Sequence, residues 1–221
     1  MKTSKIFQHG SYSTLYGGFY DGTIRLDEAL KHGDCGIGTL DGADGEVIVL
    51  DGVAYHGNSE NKVRVIAANE TLPYIALIKH VANHQFDSKT LSSTHLTELS
   101  EAFPTKNSAY SIKITGFFSS VEISSKPAHN TEPYLDILAK QPHFTRENVT
   151  GTIVGIWSPA HLSGLYGNGF HLHFLSTDKS FGAHLVRFTA ENVKVEFGEI
   201  GKIEQEFPVE NSHFQTLNLE K

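Results

Sequence analysis

Apolar and polar residues alternate from Tyr110 to Thr115, with Tyr110, Ile112 and Ile114 on one side and Ser111, Lys113 and Thr115 on the other. A period of two marks a half-buried strand and predicts one over 110–118. Short apolar runs at 47–50, 53–55, 63–67, 74–78, 149–157, 185–188 and 193–197 predict further strands. Asp51-Gly52 between the first two is a hairpin signal, and Pro73 suits a strand start or edge. Helical patterns are few and short. Over 94–103, Leu96, Leu99 and Phe103 share one face, with Thr94 placed as N-cap and Pro104 as the stop. Residues 25–33 carry acids early and bases late, with Gly33 where a C-terminal glycine cap belongs. Pro133–Lys140 predicts a short helix with proline in its first turn.

These elements predict an α+β, β-rich protein: two mixed β-sheet lobes with a few short helices. The polar zone 88–107 is the expected boundary. It divides an N-terminal lobe, 1–100, from a C-terminal lobe, 101–221, unless the two form one continuous domain. There is no internal repeat, heptad or low-complexity segment.

The densest candidate chemistry lies in 169–184. Gly169 to Thr177 reads as a strand, Ser-Thr-Asp-Lys-Ser as a turn, and Gly182 as the start of a return strand. His171 and His173 point to one face while Leu172 points to the other. The return strand brings His184 back beside them. Three imidazoles on one face leave a fourth position open, the pattern of a catalytic zinc site. The chain has 13 histidines, so chance pairs are expected. The alternative for this stretch is the polar, water-facing side of a sheet. His80 and His84 would share a face in a helix, but no further ligand is near them in sequence.

A net charge of −7 with no long basic run argues against nucleic acid or an anionic membrane as partner. The single cysteine, Cys35, cannot pair within the chain, so a reducing cytoplasm is the expected compartment. The first residues lack the apolar core of a signal peptide. No apolar run approaches the roughly 20 residues needed to span a bilayer.

Three motifs in the C-terminal half occur in order: Gly151-Thr-Ile-Val-Gly-Ile-Trp157-Ser-Pro159, Gly169-Phe-His-Leu-His-Phe174 and Gly182-Ala-His184-Leu-Val. Together they resemble the zinc-binding half of the α-acetolactate decarboxylases. Upstream, Gly36-Ile-Gly38-Thr39-Leu-Asp-Gly-Ala-Asp44-Gly45-Glu46-Val-Ile-Val-Leu50-Asp51-Gly52-Val-Ala-Tyr55 is similar to that family's N-terminal signature. Lys106-Asn107-Ser-Ala-Tyr110-Ser-Ile-Lys-Ile-Thr-Gly116-Phe-Phe118 is similar to its central one. The likeness covers almost the whole chain. It implies two mixed sheets, a zinc site in the C-terminal half, a homodimer, and conversion of 2-acetolactate to acetoin and carbon dioxide.

A metal held by His171, His173 and His184 can chelate the hydroxyl and ketone oxygens of a small α-hydroxy-β-keto acid. It then stabilises the enediolate left when carbon dioxide departs. A carboxylic acid near the metal can supply the proton. The resemblance gives that part to Glu46, which on its own reads as a solvated hairpin acid. Two positions depart from the family. Ser124 stands where an arginine is expected, with Lys126 two residues on and on the same face. Lys126 is a point cation rather than a fork. After Phe207-Pro208, Ser212 fills the slot of an expected acid, with Glu210 close by. The departures predict a decarboxylase of reduced or altered activity, with Glu46, Lys126 and Glu210 as its candidate catalytic residues.

Two other functions fit the same residues. A cupin-like metal enzyme also uses His-x-His plus a later histidine, but usually adds a glutamate just beyond the pair, where only Asp178 is near. A non-catalytic paralogue could bind a hydroxy-keto acid without consuming it. Trp157 and Phe174 are expected to pack the sheet. Thr39 suits either turn packing or substrate contact, and His161 and His213 read as exposed loop residues.

Overall fold

The computed structural model describes residues 2–219. Thirteen strands follow in chain order: β1 Ser4–His9, β2 Ile24–Arg25, β3 Cys35–Leu40, β4 Asp44–Leu50, β5 Val53–Gly57, β6 Val63–Val65, β7 Thr71–Leu72, β8 Tyr74–Lys79, β9 His84–Ser92, β10 Tyr110–Ser124, β11 His143–Ser158, β12 Gly169–Ser176 and β13 Gly182–Glu206. The helices are short: α1 Tyr12–Tyr16, α2 Leu26–Ala29, α3 Leu96–Glu101, α4 Tyr134–Ala139, α5 Ser163–Tyr166 and α6 Ser212–Thr216. The architecture is α+β and β-rich, as the patterning predicts.

Eleven strands pair in one mixed sheet, ordered β10-β11-β12-β13-β1-β8-β3-β4-β5-β6, with β9 added on β13. β10 pairs with both β11 and β13, so β10 through β13 close a circuit. β13 is 25 residues long and changes partners along its length. It starts against β12, runs beside β10 and β9, and ends parallel to β1. β1 then carries the pairing into the N-terminal strands through β8.

The apolar residues form three clusters. One lies within the C-terminal strands around Phe118, Phe174 and Val195. Another lies within the N-terminal strands around Val47, Ile75 and Leu77. The third mixes both halves: Ile37, Ile48 and Tyr74 pack with Val154, Ile156 and Leu175. It fixes the face of β4 against β11 and β12.

Several elements differ from their sequence expectation. The helix at 25–33 is a single turn capped at Leu30. Gly33 is not its cap: a Cβ there would sit 2.8 Å from the Ile78 backbone, so the glycine permits a close chain approach. The helix at 94–103 begins with a 3₁₀ turn over Ser93–His95, and Thr94 does not cap it. Its hydroxyl is shared instead with Ser92 Oγ at 2.7 Å. The runs 185–188 and 193–197 are one strand, with Asn192 between them at φ 52°. His80 and His84 do not share a helix. His80 Nδ1 bonds Ser111 Oγ at 2.9 Å, and His84 begins β9 and stacks on Phe197. β1, β3 and β9 carry no clear alternation. β3 is buried along its whole length, and β9 is a mostly polar edge.

Candidate active site

The hairpin of β12 and β13 places His173 opposite His184, with Phe174 opposite Ala183. The turn between them is held by Asp178, whose carboxylate accepts from Ser176 Oγ at 2.6 Å and Ser180 N at 3.1 Å. Leu172 and Phe174 enter the C-terminal core. His171 and His173 therefore take the opposite face. One ligand nitrogen from each of His171, His173 and His184 lies within 4.8 Å of the other two. The ring centroids stand 5.3 to 5.5 Å apart.

Two backbone carbonyls orient these rings. His173 Nδ1 donates to Val47 O at 2.8 Å, a contact from β4 in the other half of the chain. His171 Nδ1 donates to Tyr166 O at 3.3 Å. With Nδ1 carrying the proton, Nε2 of each ring keeps its lone pair for a ligand. Burial pushes His171 down to about 4, helped by the Lys126 cation and opposed by the Tyr166 carbonyl. His173 and His184 are pushed well below the ordinary value, first by burial and then by neighbouring positive charge. The rings are thus neutral near pH 7, as metal ligands must be.

His173 Nε2 is buried and, among the described residues, has no hydrogen-bond partner. The nearest acid, Glu46 Oε2, is 3.5 Å away and poorly aligned. An orphaned imidazole nitrogen is costly inside a protein unless something unseen satisfies it. A divalent ion bound by three imidazoles would do so. The donor set fits such an ion, with an open position left for a substrate oxygen.

Glu46 lies on β4 and is 3% exposed, so it is not a solvated hairpin acid. Lys126, also 3% exposed, donates through Nζ to Glu46 Oε1. Burial pushes the Glu46 carboxyl above its usual range, while the Lys126 charge and hydrogen bond oppose that push. Gly45 has φ +56°, and a Cβ there would lie 2.2 Å from His56 Nε2. The Asp-Gly-Glu segment therefore needs its glycine for Glu46 to take this place. Thr39 lines the cavity beside Glu46, and its hydroxyl donates to Gly45 O at 2.8 Å.

These groups meet at a cavity of about 440 Å³ whose lining includes Thr39, Glu46, Lys126, His171 and His184. Its other walls were not apparent from the sequence. Tyr12, Tyr74 and Tyr134 come from three separate elements, and Gln141 and His143 lie just before or at the start of β11. No spacing links them. The aromatic-rich N-terminal segment is the one sequence signal, and it carries Tyr12. Tyr12 packs edge-on to His171, with centroids 5.4 Å apart. Burial pushes the phenols of Tyr12, Tyr74 and Tyr134 up, so all three stay protonated.

Other candidates lie elsewhere. Glu210 is exposed and borders a separate cavity with His9, Thr23 and Glu206. Ser212 starts α6. His213 bonds Asp21 Oδ2 at 3.1 Å, and His161 is exposed in a 3₁₀ turn. Phe174 is fully buried, and Trp157 packs against the same C-terminal core.

The chain matches the family model described as alpha-acetolactate decarboxylase over residues 6–221. It is 40% identical over 220 residues to the alpha-acetolactate decarboxylase of Lactococcus lactis subsp. cremoris, covering 98% of this chain and 93% of that protein. Against the Bacillus licheniformis enzyme of the same name the identity is 30%, covering 96% of this chain and 85% of that protein. The crystal structure of alpha-acetolactate decarboxylase from Bacillus subtilis strain 168 superposes with a TM-score of 0.93 at 28% identity, covering 98% of this chain and 94% of that one. A Staphylococcus aureus protein of unknown function, described as similar to alpha-acetolactate decarboxylase, gives a TM-score of 0.94 at 32% identity, with 97% and 95% covered. Matched from end to end in sequence and in fold, this chain belongs to the alpha-acetolactate decarboxylase family.

Proposed function

We propose that this protein converts 2-acetolactate to acetoin and carbon dioxide, using a zinc ion held by His171, His173 and His184. One observation carries the reading: three clustered neutral imidazoles, two of which line the cavity, stand with a buried Glu46–Lys126 pair that lines the same cavity. A ligand set of imidazoles alone with an open position suits zinc better than magnesium or calcium, which prefer oxygen. When bound, the ion supplies Lewis-acid stabilisation for charge growing on the substrate's hydroxyl and ketone oxygens.

The chain's own residues supply the rest. As carbon dioxide leaves, the electrons of the broken C–C bond move toward the ketone, and the carbon must then receive a proton. Glu46 stands beside His173, and burial raises the proton affinity of its carboxylate, so it is the group placed to take up one proton from solution per turnover and pass it to that carbon. Lys126 holds Glu46 in position and puts a positive charge near the substrate carboxylate. The tyrosine wall and the burial of Glu46 and Lys126 lower the local dielectric, which strengthens both effects. The resemblance expects an arginine where Ser124 stands. One ammonium cannot reproduce a guanidinium fork, so turnover is slower than with that arginine. Glu210 has no part in this chemistry.

The test is acetoin release from racemic acetolactate by zinc-loaded protein, before and after chelation. Chelator-sensitive release is expected, below the roughly 10 s⁻¹ typical of enzymes. No release from fully loaded, folded protein would overturn the decarboxylase reading. Release at ordinary rates that survives Lys126→Met would overturn the role given to Lys126.

A further inference from the structure

The register of the sheet extends the histidine trio along a line. His173 faces His184, His184 faces Ser124, and Ser124 faces His143, each pair directly opposite across neighbouring strands. Opposite residues share a face. One row therefore crosses β12, β13, β10 and β11, and its last three members all line the cavity. Each step is about 5 Å, so the row runs roughly 10 Å from His184 to His143.

The far end of this row is polar and reaches solvent, with Gln141 half-buried and His143 exposed. Ser124 Oγ donates to Gln141 Oε1 at 3.1 Å. His143 Nδ1 bonds Glu122 Oε1 at 2.8 Å. Among the described residues nothing accepts from Gln141 Nε2, and nothing bonds His143 Nε2. The near end is filled by the groups already assigned to the reaction. Acetolactate is small, whereas a cavity of about 440 Å³ falls in the range that takes much larger ligands. A methyl-substituted acid held at the imidazoles leaves the arm toward Gln141 unused.

We propose that the preferred ligand is a 2-hydroxy-3-oxo acid whose C2 substituent is longer than methyl and ends in a hydroxyl, lying over Ser124 and bonded to Gln141. The proposal rests on the decarboxylase reading for where the acid's head binds. The terminal hydroxyl accepts from the Gln141 amide, which a purely apolar chain leaves unpaired. Ser124 is small enough to let the chain pass.

Two unreactive 2,3-dihydroxy acids test this by calorimetry on the zinc-loaded protein. One carries a hydroxyethyl group at C2, and the other carries the propyl group of the same length. The hydroxyethyl acid is expected to bind roughly fivefold more tightly, the worth of about one net hydrogen bond. Gln141→Leu should bring the ratio of the two dissociation constants close to one. Ser124→Arg, which blocks the row, should weaken both long acids relative to a third probe, the 2,3-dihydroxy acid with methyl at C2. Equal binding of the two acids to the wild type, or preference for propyl, overturns the proposal. Acetolactate turnover measured on the same sample separates the two readings. A preserved preference without acetoin release overturns the decarboxylase assignment and leaves the ligand class standing.

Discussion

Glu46 and Lys126 are separated by 80 positions in the chain, yet their side chains meet with almost no solvent contact. Each makes the other tolerable, because a lone buried charge is far costlier than a paired one. Lys126→Met should therefore destabilise the fold by about 3–5 kcal/mol, read by urea unfolding. Adding Glu46→Gln should restore much of that loss, because the remaining charge is removed too. Additive losses in the double variant would show that the two do not act as a pair. Glu210 makes the opposite case. It is exposed and borders another cavity, so Glu210→Gln should leave acetoin release unchanged. At this scale the clustering of His171, His173 and His184 was legible from alternation and turn chemistry alone. The burial of Glu46 was not, because nothing in Asp-Gly-Glu tells a buried acid from a hairpin acid.

The histidine hairpin is positioned from outside itself. Gly57 at the end of β5 lies so close that a Cβ would stand 1.8 Å from Gly182 O, at the start of β13. Gly57→Ala must push the two strands apart just ahead of His184. A loss of about 1–3 kcal/mol is expected for such overpacking, or roughly 2–12 °C in Tm for a chain of this length. Zinc content per folded chain should fall with it. Normal zinc content with a lowered Tm would confine the effect to packing. The same dependence on neighbours explains which elements were readable. β4, β5, β8 and β10 carry regular apolar patterns and turn residues, and they lie close to where those patterns place them. The buried strand β3 is set by pairing with β8, and the single turn α2 is tied by Leu26 N and Asp27 N to the carbonyls of Glu70 and Ala68, contacts that leave no local periodicity.

β13 joins both halves of the molecule in one sheet, so buried groups far from the active site report on the whole fold. His9 is held below its ordinary value by burial, against the pull of Glu206. Burial likewise holds His80 down. Below the unfolded value of about 6.5, the unfolded chain takes up protons that the folded chain refuses. The stability present above that pH is lost as pH falls toward the folded values, and then levels off. The urea midpoint should therefore drop between pH 7 and 5, and His80→Asn should flatten part of the drop. A midpoint that is constant or rises on acidification would contradict this. Tyr74 and Tyr134, pushed up by burial, give the reverse dependence: stability should fall as pH rises above about 10.

The sequence by itself determined the strand-rich class, the hairpin and the trio of histidines, because side-chain alternation and turn propensity act over a few residues. The tertiary structure decided what surrounds that trio. The Val47 carbonyl behind His173, the Glu46–Lys126 pair, the tyrosine wall and the row from His184 to His143 all join residues from distant elements. Those contacts depend on strand register and on packing between sheets. Long-range pairing sets both, and no local pattern records it.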